Sequence, residues 1–215
     1  MPVEPVMLGA YMIAVSALVM TPGPDTILIL RYTLSSGQRV GLATVAGVQL
    51  GLFVHTLLAV AGISLIIASS PVLFKSVALL GAGYLAWLGL QGFRDGGALS
   101  LNGVSKQVGP TKAIRDGTLC NLLNPKVILI FLALLPNFID TSRDNVSAQL
   151  VTLGVTLILI NTLWQAPLAW LAQAARQWLT SPKVNRILSR LTGGILLIFA
   201  ALMIYDNLLS NTKLH

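Results

Sequence analysis

The chain has 215 residues, of which 55% are hydrophobic and only 10% are charged, whereas soluble domains carry about 25% charged residues. This composition excludes a soluble globular domain and indicates a protein embedded in a lipid bilayer. The net charge of +7 comes from basic residues spread over short segments without a basic stripe, so it does not indicate nucleic-acid binding. The lone Cys120 excludes an internal disulfide, and no cysteine and histidine pattern indicates a metal or cofactor site.

The N-terminal segment combines an early apolar run with the acidic residue Glu4. It lacks the basic start and the small-residue cleavage site of a secretory signal peptide. We therefore expect it to be retained as the first membrane span.

Long apolar runs predict an all-α, polytopic membrane protein with six spans. No Asp, Glu, Lys or Arg occurs between Val40 and Phe74 or between Asn145 and Ala175, and about 18 apolar residues suffice to cross a bilayer core. The predicted spans are Val6–Leu34, Gly41–Ser69, Lys75–Phe93, Ala113–Ile139, Val146–Ala174 and Ile187–Leu209.

The two halves of the chain contain a weak internal repeat. The segment GPDTILIL at Gly23–Leu30 matches NPKVILIF at Asn124–Phe131. Three spans per half would place the second half upside down, which is common among secondary transporters. The predicted organisation is one transmembrane domain over residues 1–215, with repeat one at about 1–93, a cytoplasmic loop at about 94–112 and repeat two at about 113–215.

Prolines interrupt spans one and four at matching places. A proline inside a helix removes a backbone hydrogen bond that lipid cannot replace. The residues of these predicted breaks are Pro22, Gly23, Pro24, Asn124 and Pro125. Paired breaks in inverted halves favour a transporter binding site. The alternative is two simple kinks, with Thr21 or Asp25 capping the continuing helix.

Asp25 and Lys126 occupy equivalent repeat positions with opposite charges. Each costs roughly 3 kcal/mol to place within a membrane. They could bind the ammonium and carboxylate of a zwitterion, or Asp25 could carry a coupling proton. The alternative is a structural ion pair, which a substrate could also displace.

Other polar residues within the spans have weaker claims. His55 could titrate near neutral pH, although a buried histidine more often makes one interhelical hydrogen bond. We expect Gln49 and Asn161 to be packing polar residues, and Gly47 and Gly51 to allow close approach of helices.

Four segments together resemble the RhtB branch of the LysE family of bacterial amino-acid efflux permeases. They are TPGPD, SGQRVGLATVAGVQLG, GAGYLAWLGLQGFR and NLLNPKVILIFLALLPNF, and they cover roughly the first 140 residues. The resemblance implies a six-helix inner-membrane exporter that is not an enzyme, moves a small molecule and is driven by the proton gradient; it leaves homodimer formation open. The family's motif positions here are Pro22, Gly23, Pro24, Asp25, Gly41, Gly47, Gly51, Tyr84, Gly89, Asn124, Pro125 and Lys126.

Other functional classes fit the sequence less well. A membrane thiol redox enzyme needs paired cysteines, and an intramembrane serine protease needs a positioned serine beside a histidine. No selectivity-filter pattern indicates an ion channel. The remaining alternative is an efflux carrier for cations or other small solutes, and a metal cation carrier would need several membrane carboxylates or histidines.

The distribution of Lys and Arg predicts the topology. Ten of the fourteen fall in the segments after spans one, three and five, and three fall on the opposite side, which places both termini in the periplasm. Reporter domains fused after His215 should therefore be extracytoplasmic, and those inserted between Asp95 and Lys106 cytoplasmic. A cytoplasmic C-terminus would contradict the inverted repeat.

Overall fold

The structure, a computed structural model, describes residues 2–69, 107–172 and 181–209, together with single residues between 72 and 93. Most of the predicted third span, including Tyr84 and Gly89, lies outside the described residues. Within them the regular structure is helical. The helices are α1 Pro5–Met20, α2 Pro24–Ser36, α3 Gln38–Ser69, α4 Pro110–Leu122, α5 Pro125–Leu129, α6 Val146–Trp170 and α7 Pro182–Leu209.

Two described helical stretches are long and apolar enough to cross a membrane by themselves. They are Gln38–Gly62 within α3 and Val146–Trp170, each of 25 residues. The pair α1 and α2 bends by 52°, and α4 with the segment Lys126–Phe138 bends by 51°; each pair is a further span if it is counted as one broken helix. The all-α, polytopic class is confirmed, whereas six spans in two inverted repeats stay a prediction.

Proline begins five of the seven described helices, and this placement corrects two predicted boundaries. The fourth span was expected to begin at Ala113 and the sixth at Ile187, but α4 begins at Pro110 and α7 at Pro182. Proline is favoured in the first helical turn because the backbone amide it lacks has no partner there. The predicted connection between spans one and two, from residue 35 to residue 40, is also shorter, since only Gly37, with φ of 90°, separates α2 from α3.

Both predicted breaks are present. In the first, Thr21 and Gly23 adopt extended backbone conformations between α1 and α2. In the second, Asn124 caps α5, because its side chain accepts a hydrogen bond of 3.1 Å from the Lys126 amide. Beyond α5 the helix changes to a π turn at Ile130–Leu134 and a 3₁₀ turn at Leu135–Phe138, where the sequence analysis expected regular helix.

Glycines bring α3 and α4 into close contact. A Cβ added at Gly47 would lie 2.1 Å from the Ile114 carbonyl oxygen, and one at Gly117 would lie 2.6 Å from the Thr44 carbonyl oxygen. The Thr118 hydroxyl donates to the Gly47 carbonyl oxygen across the same contact, at 3.0 Å. The close approach predicted for this glycine pattern is confirmed.

A buried amide fixes the segment that precedes α6. Gln149 is 1% exposed; its amide nitrogen donates to the Asp140 carbonyl oxygen and to Asn145 Oδ1, and its Oε1 accepts from the Asp140 amide. The hydroxyl and amide of Ser142 donate to the Asp140 carboxylate and hold its pKa below the ordinary value. These contacts lie outside the cavity described below.

Replacement of Gly47 with alanine should destabilise the protein, because the new methyl group meets backbone that cannot move independently. We expect a loss of about 1–3 kcal/mol, measured as a lower thermal unfolding midpoint of the purified protein. Gly62→Ala is the matched control on the same helix, because a Cβ there meets nothing within 4 Å. Equal effects of the two substitutions would contradict the close-packing interpretation.

Candidate functional site

The two helix breaks lie against each other and line one cavity. About 380 Å³ of space within this lining, its open mouth included, is unfilled by atoms. Four of the predicted site residues line the cavity, namely Gly23, Asp25, Asn124 and Lys126. The lining also includes Asn121, Asn161 and Gln165.

Asp25 lies in the first turn of α2 and is only 6% exposed. The positive end of a helix dipole favours a carboxylate at this position. Its Oδ2 accepts a hydrogen bond of 2.9 Å from Asn121 Nδ2, while its Oδ1 has no hydrogen-bond partner among the described residues. The carboxylate is therefore held by one oxygen and has accepting capacity at the other.

Lys126 joins the two breaks. Its Nζ donates to the Thr21 carbonyl oxygen at 2.7 Å, and Thr21 is the C-cap residue that follows α1. The side chain passes over Gly23, where an added Cβ would lie 3.8 Å from Lys126 Cδ. The ammonium group thus pairs with a backbone carbonyl group of the other broken helix.

Asp25 and Lys126 do not form a direct salt bridge. Among the described residues, the ion pairs within 4.0 Å are Lys112–Asp116, Arg115–Asp116 and Arg143–Asp140. Each of the two cavity charges has its own polar partner instead. The structural ion pair considered as an alternative is therefore absent as a contact in this conformation.

Asn121 is a site residue that the sequence analysis missed. It is fully buried on α4, and its Oδ1 has no hydrogen-bond partner within the described part of the chain. His55 Nε2 lies 3.4 Å from the Asn121 backbone oxygen, and the His55 ring stacks on Phe131 at 5.3 Å between centroids. His55 therefore makes the interhelical contact expected of a buried histidine, and it is not among the residues that line the cavity. A separate neighbour of the site is Cys120, whose thiol lies beside the Asp25 carboxylate.

A chain of three amides from α3 and α6 reaches the cavity. Gln49 Nε2 donates to Gln165 Oε1 at 3.2 Å, and Asn161 Nδ2 approaches Gln49 Oε1 at 3.4 Å. The packing contact predicted for Gln49 and Asn161 is present. Asn161 and Gln165 also line the cavity. The sequence could not indicate this, because a polar residue on an apolar helix looks the same whether it packs against another helix or lines a binding site.

The other predicted residues do not contribute described side chains to the cavity. Pro22 and Pro24 set the backbone of the first break but are not among the lining residues. Pro125 begins α5, and its side chain, like Tyr84, lies outside the described residues. Within the described ranges no group of three or more His, Cys, Asp or Glu could hold a metal ion.

The cavity offers a positive donor, a carboxylate acceptor and several amides between apolar helices. Such a set can bind a small polar molecule that carries both charges. An all-helical chain with membrane-length apolar helices and a polar cavity at paired breaks defines a membrane transport protein.

Comparison with known proteins identifies the family. The profile of the family described as "LysE type translocator" matches residues 16–207, and the chain belongs to this family, whose members are transporters and not enzymes. The match confirms the motif resemblance and extends it beyond the first 140 residues.

Relatives are similar over nearly their whole length. The chain is 31% identical to a homoserine/homoserine lactone efflux protein of Salmonella typhi over 194 residues, which is 90% of this chain and 94% of the relative. It is 31% identical to a leucine efflux protein of Enterobacter sp. strain 638 over 193 residues, 89% and 92% of the two chains. An uncharacterized membrane protein of Bacillus subtilis is 32% identical over 199 residues, 88% and 94%. No solved structure gives a significant match.

A double-mutant cycle of Asp25→Asn and Lys126→Met should show nearly additive losses of stability, because each charge has a separate partner. We expect the free energy of coupling between the two substitutions to be below about 1 kcal/mol. For two charges in direct buried contact, each single change would cost about 3–5 kcal/mol, and the double change would recover much of that loss. The measurement is the thermal unfolding and membrane abundance of both single variants and the double variant. Recovery of stability in the double variant would restore the ion-pair interpretation.

Proposed function

We propose that this transporter exports a small amino acid or amino-acid derivative across the bacterial inner membrane by proton antiport. Its cavity residues at the two breaks bind the substrate. Similarity to relatives named for efflux of homoserine, homoserine lactone and leucine supports this substrate class.

The observation that carries the proposal is the presence of opposite charges on one cavity without a bond between them. Lys126 donates to a neutral carbonyl group, and a substrate carboxylate is a stronger partner because both members of the hydrogen bond are then charged. Asp25 Oδ1 is available to a donor. The two groups together match the two ends of a zwitterion.

Proton antiport is supported by the position of Asp25. It is the only carboxylate among the described residues that line the cavity, and buried acidic residues in membrane spans commonly carry coupling protons. A carboxylate that alternates between proton and substrate couples the two fluxes by competition.

The proposed architecture has six spans in two inverted repeats, at about 1–93 and 113–215, with both termini in the periplasm. The similar bends of 52° and 51° support it, as does the placement of Asp25 and Lys126 immediately after the prolines that begin α2 and α5. Homodimer formation, which the family resemblance leaves open, stays untested.

A cation efflux carrier fits the site less well. The ammonium of Lys126 lines the cavity and repels a cation at short range. No contact among the described residues favours that alternative.

The proposal is tested by efflux from cells loaded with each amino acid of a panel that includes homoserine and leucine. We expect faster export of at least one amino acid with the wild-type protein and its loss when an uncoupler collapses the proton gradient. Lys126→Met should reduce that export by about 10-fold or more, since a hydrogen bond to a charged group contributes about 1.5–3 kcal/mol.

Arg143→Met is the matched control for this panel. It also removes a positive charge, but Arg143 pairs with Asp140 outside the cavity, so its export should resemble that of the wild type at equal abundance. If the wild-type protein exports none of the amino acids in the panel, the proposed function is refuted. Normal export by Lys126→Met would remove Lys126 from the site.

A further inference from the structure

Two buried side chains that bond to each other at the cavity each have a second polar atom, an oxygen, without a partner among the described residues. Asp25 Oδ1 and Asn121 Oδ1 each lack a hydrogen bond within the described residues, although their side chains are joined through Asp25 Oδ2 and Asn121 Nδ2 at 2.9 Å. Asp25 is 6% exposed and Asn121 is 0% exposed, and both line the cavity. Because buried polar atoms are nearly always paired, two orphaned oxygens on one cavity indicate a ligand that donates hydrogen bonds.

The amide of Asn121 is held in one orientation. Its nitrogen is committed to the Asp25 carboxylate, and exchange of its oxygen and nitrogen would place two acceptors against each other. Gly51 of α3 packs against this side chain, since a Cβ there would approach Asn121 Oδ1 to 2.6 Å and Asn121 Cβ to 2.7 Å. The glycine thus allows the packing that fixes Asn121 beside Asp25.

We propose that Asn121 is a substrate-binding residue and that its Oδ1, together with Asp25 Oδ1, accepts hydrogen bonds from the α-ammonium group of the substrate. This inference rests on the proposed function and assigns Asn121 and Asp25 to the ammonium end, with Lys126 at the carboxylate end. A primary ammonium group has three donors and a positive charge, so it satisfies both oxygens. A hydroxyl group in the same place has one donor and no charge, so the site selects 2-amino acids over 2-hydroxy acids.

The experiment uses the purified full-length protein in proteoliposomes and measures exchange of labelled L-homoserine and L-leucine. The competitors are the unlabelled amino acids and their 2-hydroxy analogues, 2,4-dihydroxybutanoate and 2-hydroxy-4-methylpentanoate. The wild-type protein should prefer the amino acid by about 10-fold or more, the scale of one hydrogen bond to a charged group. Asn121→Leu should raise KM for the amino acid and lower this preference by about threefold or more, while Asp25 still pairs with the ammonium group.

Two further variants separate binding from structural support. Asn121→Ser keeps a hydroxyl that can donate to Asp25 and accept from the substrate, and it should retain more of the preference for the amino acid than Asn121→Leu does. Gln149→Leu removes another buried amide, one that contacts Asp140 and Asn145 outside the cavity, and should lower stability without altering the preference. Asn121→Ala takes the place of Asn121→Leu if the latter does not accumulate in the membrane.

The outcomes distinguish this inference from the proposed function. A wild-type protein that exchanges no amino acid refutes the proposed function and the inference with it. Exchange with full preference in Asn121→Leu, or in Asn121→Ala, refutes the inference alone. A thermal unfolding measurement with sodium and no amino acid gives a second way to refute the inference. If sodium stabilises the wild-type protein, and the Asn121 variants lose this stabilisation but keep the preference for the amino acid, the two oxygens bind a metal cation instead.

Discussion

The unpaired backbone groups at the two helix breaks are the constraint on which the site depends. Hydrocarbon cannot pair them, so the protein must do so internally. The Lys126 ammonium pairs with the Thr21 carbonyl oxygen, and the Asn124 side chain pairs with the Lys126 amide. Because the first break is satisfied by a side chain from the second, the two breaks must be assembled together.

The same contacts group the half-helices into two pairs. Two hydrogen bonds join α2 to α4. Asn121 Nδ2 donates to Asp25 at 2.9 Å, and the Tyr32 hydroxyl donates to Asp116 at 2.6 Å. On the other side of the breaks, Lys126 of α5 reaches the end of α1, and the rings of Tyr11 and Phe138 meet edge to face at 5.2 Å between centroids. The cavity lies where these pairs meet, which is the place where relative movement of half-helices would change its access.

The breaks and their charges could be predicted from sequence because proline and a charged residue inside an apolar run have few physical outcomes. Asn121 could not be predicted as a site residue, since a single asparagine on a helix looks the same in the sequence whether it packs against a neighbouring helix or binds a ligand. Its role depends on the contact with Asp25, which is 96 residues away in the chain. The change to π and 3₁₀ geometry after α5 was missed for a different reason. Pro136 lies within the 3₁₀ turn and lacks an amide for regular helical bonding, but the apolar pattern continues through it.

Separation of the two charges suits a site that must bind and release. A direct buried pair of Asp25 and Lys126 would satisfy both groups, and a ligand would have to break a strong contact in a medium of low dielectric constant before gaining its own. The observed arrangement leaves Lys126 on a neutral carbonyl oxygen and Asp25 with one unpaired oxygen. A zwitterion bound as we propose would exchange weaker contacts for stronger ones, and it would also detach Lys126 from Thr21 at the end of α1. A ligand shifts a conformational equilibrium only by its differential affinity for the two states. Under the proposed binding mode, loss of the Lys126–Thr21 link would supply that difference between the half-helix pairs.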